Sequence, residues 1–201
     1  MTRRLLVATT NRGKQAEFRR LLAGLDAEVV TPDDVGLDLE VPEPHDTYAE
    51  NAAAKAVAYC RASGELTVAD DSGIEVAALG WGPGVRSARW GTGIGTQAEQ
   101  LVAAIGEAHD RRARMVCALA IASPAAVSQD PPRVELFTGV VDGSVAPAPR
   151  GTGGFGYDPI FVLPDGRTTA ELAPADKDGL SHRGRAVAAA APRLAELLSG
   201  H

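Results

Sequence analysis

The order in which strand-like and helix-like segments follow one another limits what this chain can fold into. Residues 5–9 form a short apolar run of strand length, and a turn follows over residues 11–13. Phe18, Leu21, Leu22 and Leu25 then recur at helical spacing, so a helix is expected over residues 14–23. Residues 28–31 read as a second strand, and 33–46 as an acidic, proline-bearing loop. Thr47-x-x-Glu50 is a capping-box pattern that opens a helix through about residue 61. Residues 66–69 read as a strand ending at Asp70-Asp71, and residues 74–79 either continue it or begin another element. After a loop-rich stretch over 80–95, Thr96-x-x-Glu99 caps a helix carrying Leu101, Val102 and Ile105. Residues 113–123 are apolar and suit a central strand, and 124–132 form a polar connector expected to be mobile. Further strands are expected over 133–141 and 160–163, the latter closed by Pro164-Asp165-Gly166. Ser181 can cap a last helix to about residue 198, which Pro192 bends or divides. Helices alternate with strands first and strands dominate the middle, which predicts an α/β fold with a mixed sheet.

A length of 201 residues suits one domain over 1–201, or one domain with two lobes around a cleft. Aromatic residues are only 4% of the chain, so alanine, valine and leucine must do most of the packing. The net charge of −6 disfavours a nucleic-acid surface, which would show a basic face. An acidic protein that handles phosphates needs local cations or a metal instead. Cys60 and Cys117 are too few for a disulfide framework and sit in apolar contexts, as buried thiols of a reducing compartment do. His45, His109, His182 and His201 show no zinc-ligand spacing. The apolar run after Arg3-Arg4 is too short for a signal peptide, and no stretch approaches the ~20 apolar residues of a membrane span. A soluble, cytoplasmic protein is expected, with no membrane or nucleic-acid partner.

Of the 20 basic residues only Lys14, Lys55 and Lys177 are lysine. Where arginine serves for general surface charge, a lysine suggests a need for a compact ammonium against a crowded anion. Lys14 ends Thr9-Thr10-Asn11-Arg12-Gly13-Lys14, where a strand gives way to a helix start that can bind an anion. This is no Walker A loop: the leading glycine is absent, and Gln15 stands where Ser or Thr would be needed. Lys55 lies four residues after Asn51, on the same helical face. Asp70-Asp71-Ser72-Gly73 follows a strand, and adjacent strand residues point to opposite faces, so one carboxylate is expected at a site and the other in structure. A carboxylate there suits Mg²⁺, with Glu43 as a candidate second ligand. Gly151-Thr152-Gly153-Gly154-Phe155-Gly156 satisfies G-x-G-x-x-G, yet a strand-like segment follows instead of a helix, which argues against a dinucleotide fold. What remains is a glycine-rich loop that lets backbone approach a ligand, with Phe155 as a base-stacking ring and Asp158 as a polar contact. His182 and Arg183 can donate hydrogen bonds to ring oxygens or phosphates.

Taken in order, Thr9–Lys14, Glu50-Asn51-Ala52-x-x-Lys55-Ala56, Ala69-Asp70-Asp71-Ser72-Gly73, Pro83-Gly84-Val85-x-Ser87-Ala88-Arg89, the run from Gly151 to Pro159, and Lys177 with Ser181-His182-Arg183-Gly184 resemble one family. It is the inosine/xanthosine triphosphate pyrophosphatases, and the match runs over nearly the whole chain. The resemblance implies an elongated α/β protein with a mixed β-sheet, flanking helices and two lobes around a central cleft. It implies a homodimer that hydrolyses ITP, dITP and XTP to the monophosphate and pyrophosphate with Mg²⁺. Carried over, Thr9, Thr10, Asn11, Arg12, Gly13 and Lys14 would hold phosphates. Asp71 would be metal ligand and proton acceptor, Glu43 a second metal ligand, and Lys55 and Ser72 substrate contacts. Phe155, Gly156, Tyr157, Asp158, Lys177, His182 and Arg183 would hold the nucleotide. Thr10, Trp81 and Arg86 depart from the family's usual residues.

Overall fold

The computed structural model describes residues 3–91, 95–125 and 130–200. The connector expected over 124–132 and the loop expected over 80–95 are therefore described only in part, and His201 lies outside the described residues. The fold is α/β with a mixed sheet, as the segment order predicts. Its strands are β1 (Arg4–Val7), β2 (Glu28–Val30), β3 (Leu66–Val76), β4 (Gly82–Pro83), β5 (Arg112–Ser123), β6 (Arg133–Val145) and β7 (Phe161–Val162). Its helices are α1 (Arg12–Leu21), α2 (Tyr48–Ser63), α3 (Gln97–Ile105), α4 (Pro174–Leu180) and α5 (His182–Ser199). The strand order is β2-β1-β3-β5-β6-β7, with β4 on β3; β1 pairs parallel to both β2 and β3, whereas the β3–β4 and β6–β7 pairs are antiparallel. Among the described residues no helix is long and apolar enough to cross a membrane.

The chain divides into two compact units. The first takes residues 1–71, Cys117–Gly139 and 186–201; the second takes Ser72–Val116 and Val140–Arg185. In the first unit the two-residue period of the strands sorts side chains onto two faces. Leu5 and Val7 of β1, Val68 of β3 and Cys117, Leu119 and Ile121 of β5 pack with Phe18 and Leu22 near α1 and with Ala186, Val187, Ala190 and Leu194 of α5. Their neighbours Leu6, Ala8, Ala69, Ala118, Ala120 and Ala122 pack instead on Ala52, Ala56, Tyr59 and Cys60 of α2. Alanines on that second face let α2 lie close to the strands. The second unit has its own core, in which Ile74, Val76, Leu101, Ile105, Met115, Ile160 and Phe161 are buried together. Burying each such large apolar side chain contributes about 1.5–3 kcal/mol.

Local signals set most helix ends. Thr47 caps α2 by accepting the Glu50 N–H, and α2 stops at left-handed Gly64. Thr96 and Glu99 form a complete reciprocal box at α3. Ser181 Oγ accepts the Gly184 N–H at 2.9 Å, capping α5, which runs on through Pro192 as one helix. Four expectations are corrected. α1 begins at Arg12, because Asn11 caps it, so two of the expected turn residues form its first turn. β3 does not end at Asp70-Asp71 but runs for 11 residues from Leu66 to Val76, with both acids in its interior. The strand expected over 160–163 is reduced to Phe161–Val162, while β6 extends to Val145 to pair with it. Helix α4 was not expected; Pro174 at its first position starts it.

Candidate active site

In the first unit the alternation of β3 decides which helix each acid meets. Asp70 has the parity of Val68, on the α1 and α5 side; there Lys14 Nζ lies 3.1 Å from Asp70 Oδ2, and the Cys117 thiol approaches the same oxygen at 3.9 Å. Asp71 has the parity of Ala69, on the α2 side; there Asn51 Nδ2 donates to Asp71 Oδ2 at 3.0 Å. Lys55, one turn further along α2, donates to the Asp70 carbonyl at 3.0 Å and forms an ion pair with Glu43 of the acidic loop. Asp70 thus holds two ammonium groups, Lys14 through its carboxylate and Lys55 through its backbone oxygen. Both acids are buried, at 1% and 6% exposure. Burial raises the proton affinity of Asp71, and nearby Glu43 pushes it further up, against the Asn51 hydrogen bond and the two lysines, which pull it down. For Lys55 burial favours the neutral amine, but Asp70, Glu43 and Asp71 outweigh it, and the ammonium form is strengthened.

The entrance to α1 is tied internally. Asn11 Oδ1 accepts the Lys14 N–H at 3.0 Å, Thr9 Oγ1 accepts the Asn11 N–H at 3.2 Å, and Gln15 Nε2 donates to the Thr9 carbonyl at 2.9 Å. Gln15, at the position where a Walker loop has its metal-binding hydroxyl, is here a brace for the turn. Thr9 is buried, whereas Thr10, Asn11 and Arg12 are exposed and Gly13 is half-buried at the positive end of the helix.

In the second unit the glycine-rich loop is organised by Asp158. Its Oδ2 accepts the Phe155 N–H at 2.7 Å and the Lys177 ammonium at 2.5 Å, and its Oδ1 accepts the Thr169 hydroxyl at 2.8 Å. Gly154 sits at φ +71, and a Cβ there would lie 2.0 Å from Asp158 Oδ2, so a side chain is excluded by both conformation and space. Lys177 Nζ stands 5.1 Å and the Arg183 guanidinium 5.8 Å from the centre of the Phe155 ring, both within cation–π range. Arg183 also donates to Ser72 Oγ at 3.0 Å. His182 is buried in the first turn of α5. Gly156 is exposed, but Tyr157 belongs to the core, where its hydroxyl donates to the Ser87 carbonyl at 2.8 Å and burial pushes its proton affinity up.

The structure therefore brings Lys14, Lys55, Glu43 and Asp71 together in the first unit, and Ser72, Phe155, Asp158, Lys177 and Arg183 together in the second. Sequence reasoning left out Asp70 and Asn51, although the acid's pairing with its neighbour and the four-residue spacing to Lys55 both marked them. It also left out Thr169, which carries no local signal.

A sequence model of the Ham1 family matches residues 5–193. The chain belongs to the Ham1 family. Among its relatives is a dITP/XTP pyrophosphatase of Symbiobacterium thermophilum, 48% identical over 98% of this chain and 97% of that one. A dITP/XTP pyrophosphatase of Mycobacterium tuberculosis is 45% identical over 98% of both. Among solved structures, the Staphylococcus aureus Ham1 protein superposes with a TM-score of 0.79 at 33% identity, covering 98% of this chain and 99% of that one. A nucleoside-triphosphatase, dITP/XTP pyrophosphatase, of Mycobacterium abscessus gives 0.70 at 42% identity over 94% and 99%. The Ham1 proteins thus share this fold along nearly their whole length.

Proposed function

We propose that this chain hydrolyses non-canonical purine nucleoside triphosphates, ITP, dITP and XTP, to the monophosphate and pyrophosphate. The observation that carries the reading is the pair of compact ammonium groups, Lys14 and Lys55, held on one strand residue beside the buried Asp71. Relatives named dITP/XTP pyrophosphatase at 48% and 45% identity support the substrate class. Water attacks the α-phosphorus and pyrophosphate departs, so negative charge grows on the leaving oxygens, where fixed cations act most strongly. Lys14, Lys55 and the first-turn N–H groups of α1 supply that charge. Asp71, or a neighbouring carboxylate, accepts the proton of the attacking water.

Asp71 and Glu43 fit a magnesium ion. They are hard oxygen donors, near enough that the charge of Glu43 acts on Asp71, and such an ion takes one or two carboxylates with water and phosphate oxygens completing its shell. Bound there, magnesium would polarise phosphate oxygens as a Lewis acid. Phe155 stacks on the purine, and Arg183, fastened to Ser72, offers a donor to a 6-oxo group. Adenine presents a 6-amino donor there instead, and a buried unpaired donor costs ~1–3 kcal/mol, about 5- to 150-fold in discrimination. A homodimer and a cytoplasmic location belong to the same reading, the second supported by two buried free thiols.

The deciding assay incubates the chain with ITP, dITP, XTP, ATP and GTP, with magnesium and with a chelator. Pyrophosphate and monophosphate from the first three, dependent on magnesium, are expected. Orthophosphate and a diphosphate as products, or equal turnover of ATP, would refute the reading. A single monomer mass in light scattering would remove the dimer.

A further inference from the structure

We propose that Asn51 is a positioning residue for this reaction: its side-chain amide joins the Asp71 carboxylate to the acidic loop that bears Glu43. The proposal rests on the functional reading above. Asn51 is buried, at 1% exposure. Its Oδ1 accepts the His45 N–H at 3.1 Å, while its Nδ2 donates to the His45 carbonyl at 3.2 Å and to Asp71 Oδ2 at 3.0 Å. The His45 N–H can only donate, so it fixes which end of the amide faces it and turns the NH₂ group to Asp71. The carboxylate is thereby held in rotation by a group whose own orientation is set by the loop.

Asn51 works in step with Lys55, one turn later on the same face of α2. Each bridges the acidic loop to β3. Asn51 runs from the His45 backbone to the Asp71 side chain, and Lys55 runs from the Glu43 side chain to the Asp70 carbonyl. The lysine brings a charge. The amide brings none, and it alone of the two can satisfy a backbone donor and a backbone acceptor while still donating to a carboxylate. Two bridges fix the spacing between Glu43 and Asp71, so loss of the neutral one leaves the acids in place but lets their geometry drift. Partners of this kind, one step removed from the reacting atoms, commonly alter rate rather than folding.

The test compares Asn51→Asp with Asn51→Ala. Aspartate keeps the shape and the acceptor for the His45 N–H but loses both donors, to the His45 carbonyl and to Asp71, and sets a like charge beside Asp71; alanine loses all three bonds without adding a charge. Both variants are expected to lower kcat on ITP about 10- to 100-fold with KM nearly unchanged. Hydrogen exchange at the His45 amide should stay slow in Asn51→Asp and become fast in Asn51→Ala. Near-normal kcat in Asn51→Asp would overturn the proposal, because the loop tie alone would then suffice. A loss of activity that merely follows the folded fraction seen by circular dichroism would overturn it as well, as would a rise in KM without a fall in kcat. No pyrophosphate from the unaltered chain would instead sink the functional reading, and the positioning role with it.

Discussion

Replacing Asp158 with alanine should unfold the second unit at markedly lower denaturant concentration while leaving the first unit's core untouched. Asp158 and Lys177 are 2% and 5% exposed and 2.5 Å apart, so the change takes this carboxylate away from a buried ammonium. It also removes the acceptor of the Phe155 N–H and of the Thr169 hydroxyl. Breaking one partner of a buried ion pair costs about 3–5 kcal/mol. In a protein of this size each kcal/mol shifts the melting temperature by about 2–4 °C, so a fall of about 6–20 °C is expected. Both tryptophans, Trp81 and Trp90, belong to the second unit, so intrinsic fluorescence during urea unfolding reports on it directly. Adding Lys177→Met to Asp158→Ala removes the buried positive charge as well and should restore part of the loss, since an apolar replacement of both partners is often neutral. A fluorescence midpoint for Asp158→Ala near that of the unaltered chain, or a double variant less stable than the single one, would refute the view that this pair organises the glycine-rich loop.

Asp71→Asn should abolish pyrophosphate release without unfolding the chain. The folded protein raises the proton affinity of Asp71, so the stability this group contributes is present below its unfolded pKa of about 3.8 and is lost as pH rises through the higher folded value. Asparagine does not titrate, so the variant's melting temperature should gain on the unaltered chain as pH rises through that window; a gap that narrows with rising pH would contradict the burial and Glu43 effects. Lys14→Arg preserves charge but replaces a compact ammonium, 3.1 Å from Asp70, with a planar fork. At least a ~10-fold fall in kcat/KM on ITP is expected, a barrier change of ~1.4 kcal/mol, and full activity would show that charge alone suffices.

Where the structure obeys local rules, the sequence was readable. The threonine and serine caps at Thr47, Thr96 and Ser181 start helices by accepting N–H groups near them in the chain, and no distant residue is involved. The opposite orientation of Asp70 and Asp71 followed from strand alternation alone, and it is this that sends one to Lys14 and the other to Asn51. Whether β3 continues through Asp70-Asp71-Ser72-Gly73 was left open by the sequence, because Asp and Gly disfavour strands by local preference. There, contacts with α1 and α2, distant in sequence, overrule that preference. The donors that Asp158 accepts were not readable either: they include Thr169 and Lys177, 11 and 19 positions away, and no local pattern announces them. Asn51 was visible as a neighbour of Lys55 on a helical face, but its partners His45 and Asp71 emerged only with the fold.

The unbroken course of β3 makes the site intolerant of changes in strand length while leaving it open to changes in residue type. Deleting one residue upstream of Asp70 without a shift of pairing at β1 would exchange the faces of every later side chain, turning Asp71 towards α1 and Ser72 towards α2. Asp71 would then meet Lys14, Asp70 would take the place of Ala69, and no carboxylate would stand where Asn51 donates. Homologous chains and engineered libraries should accordingly vary in length at the turns around this strand and keep its own residue count fixed.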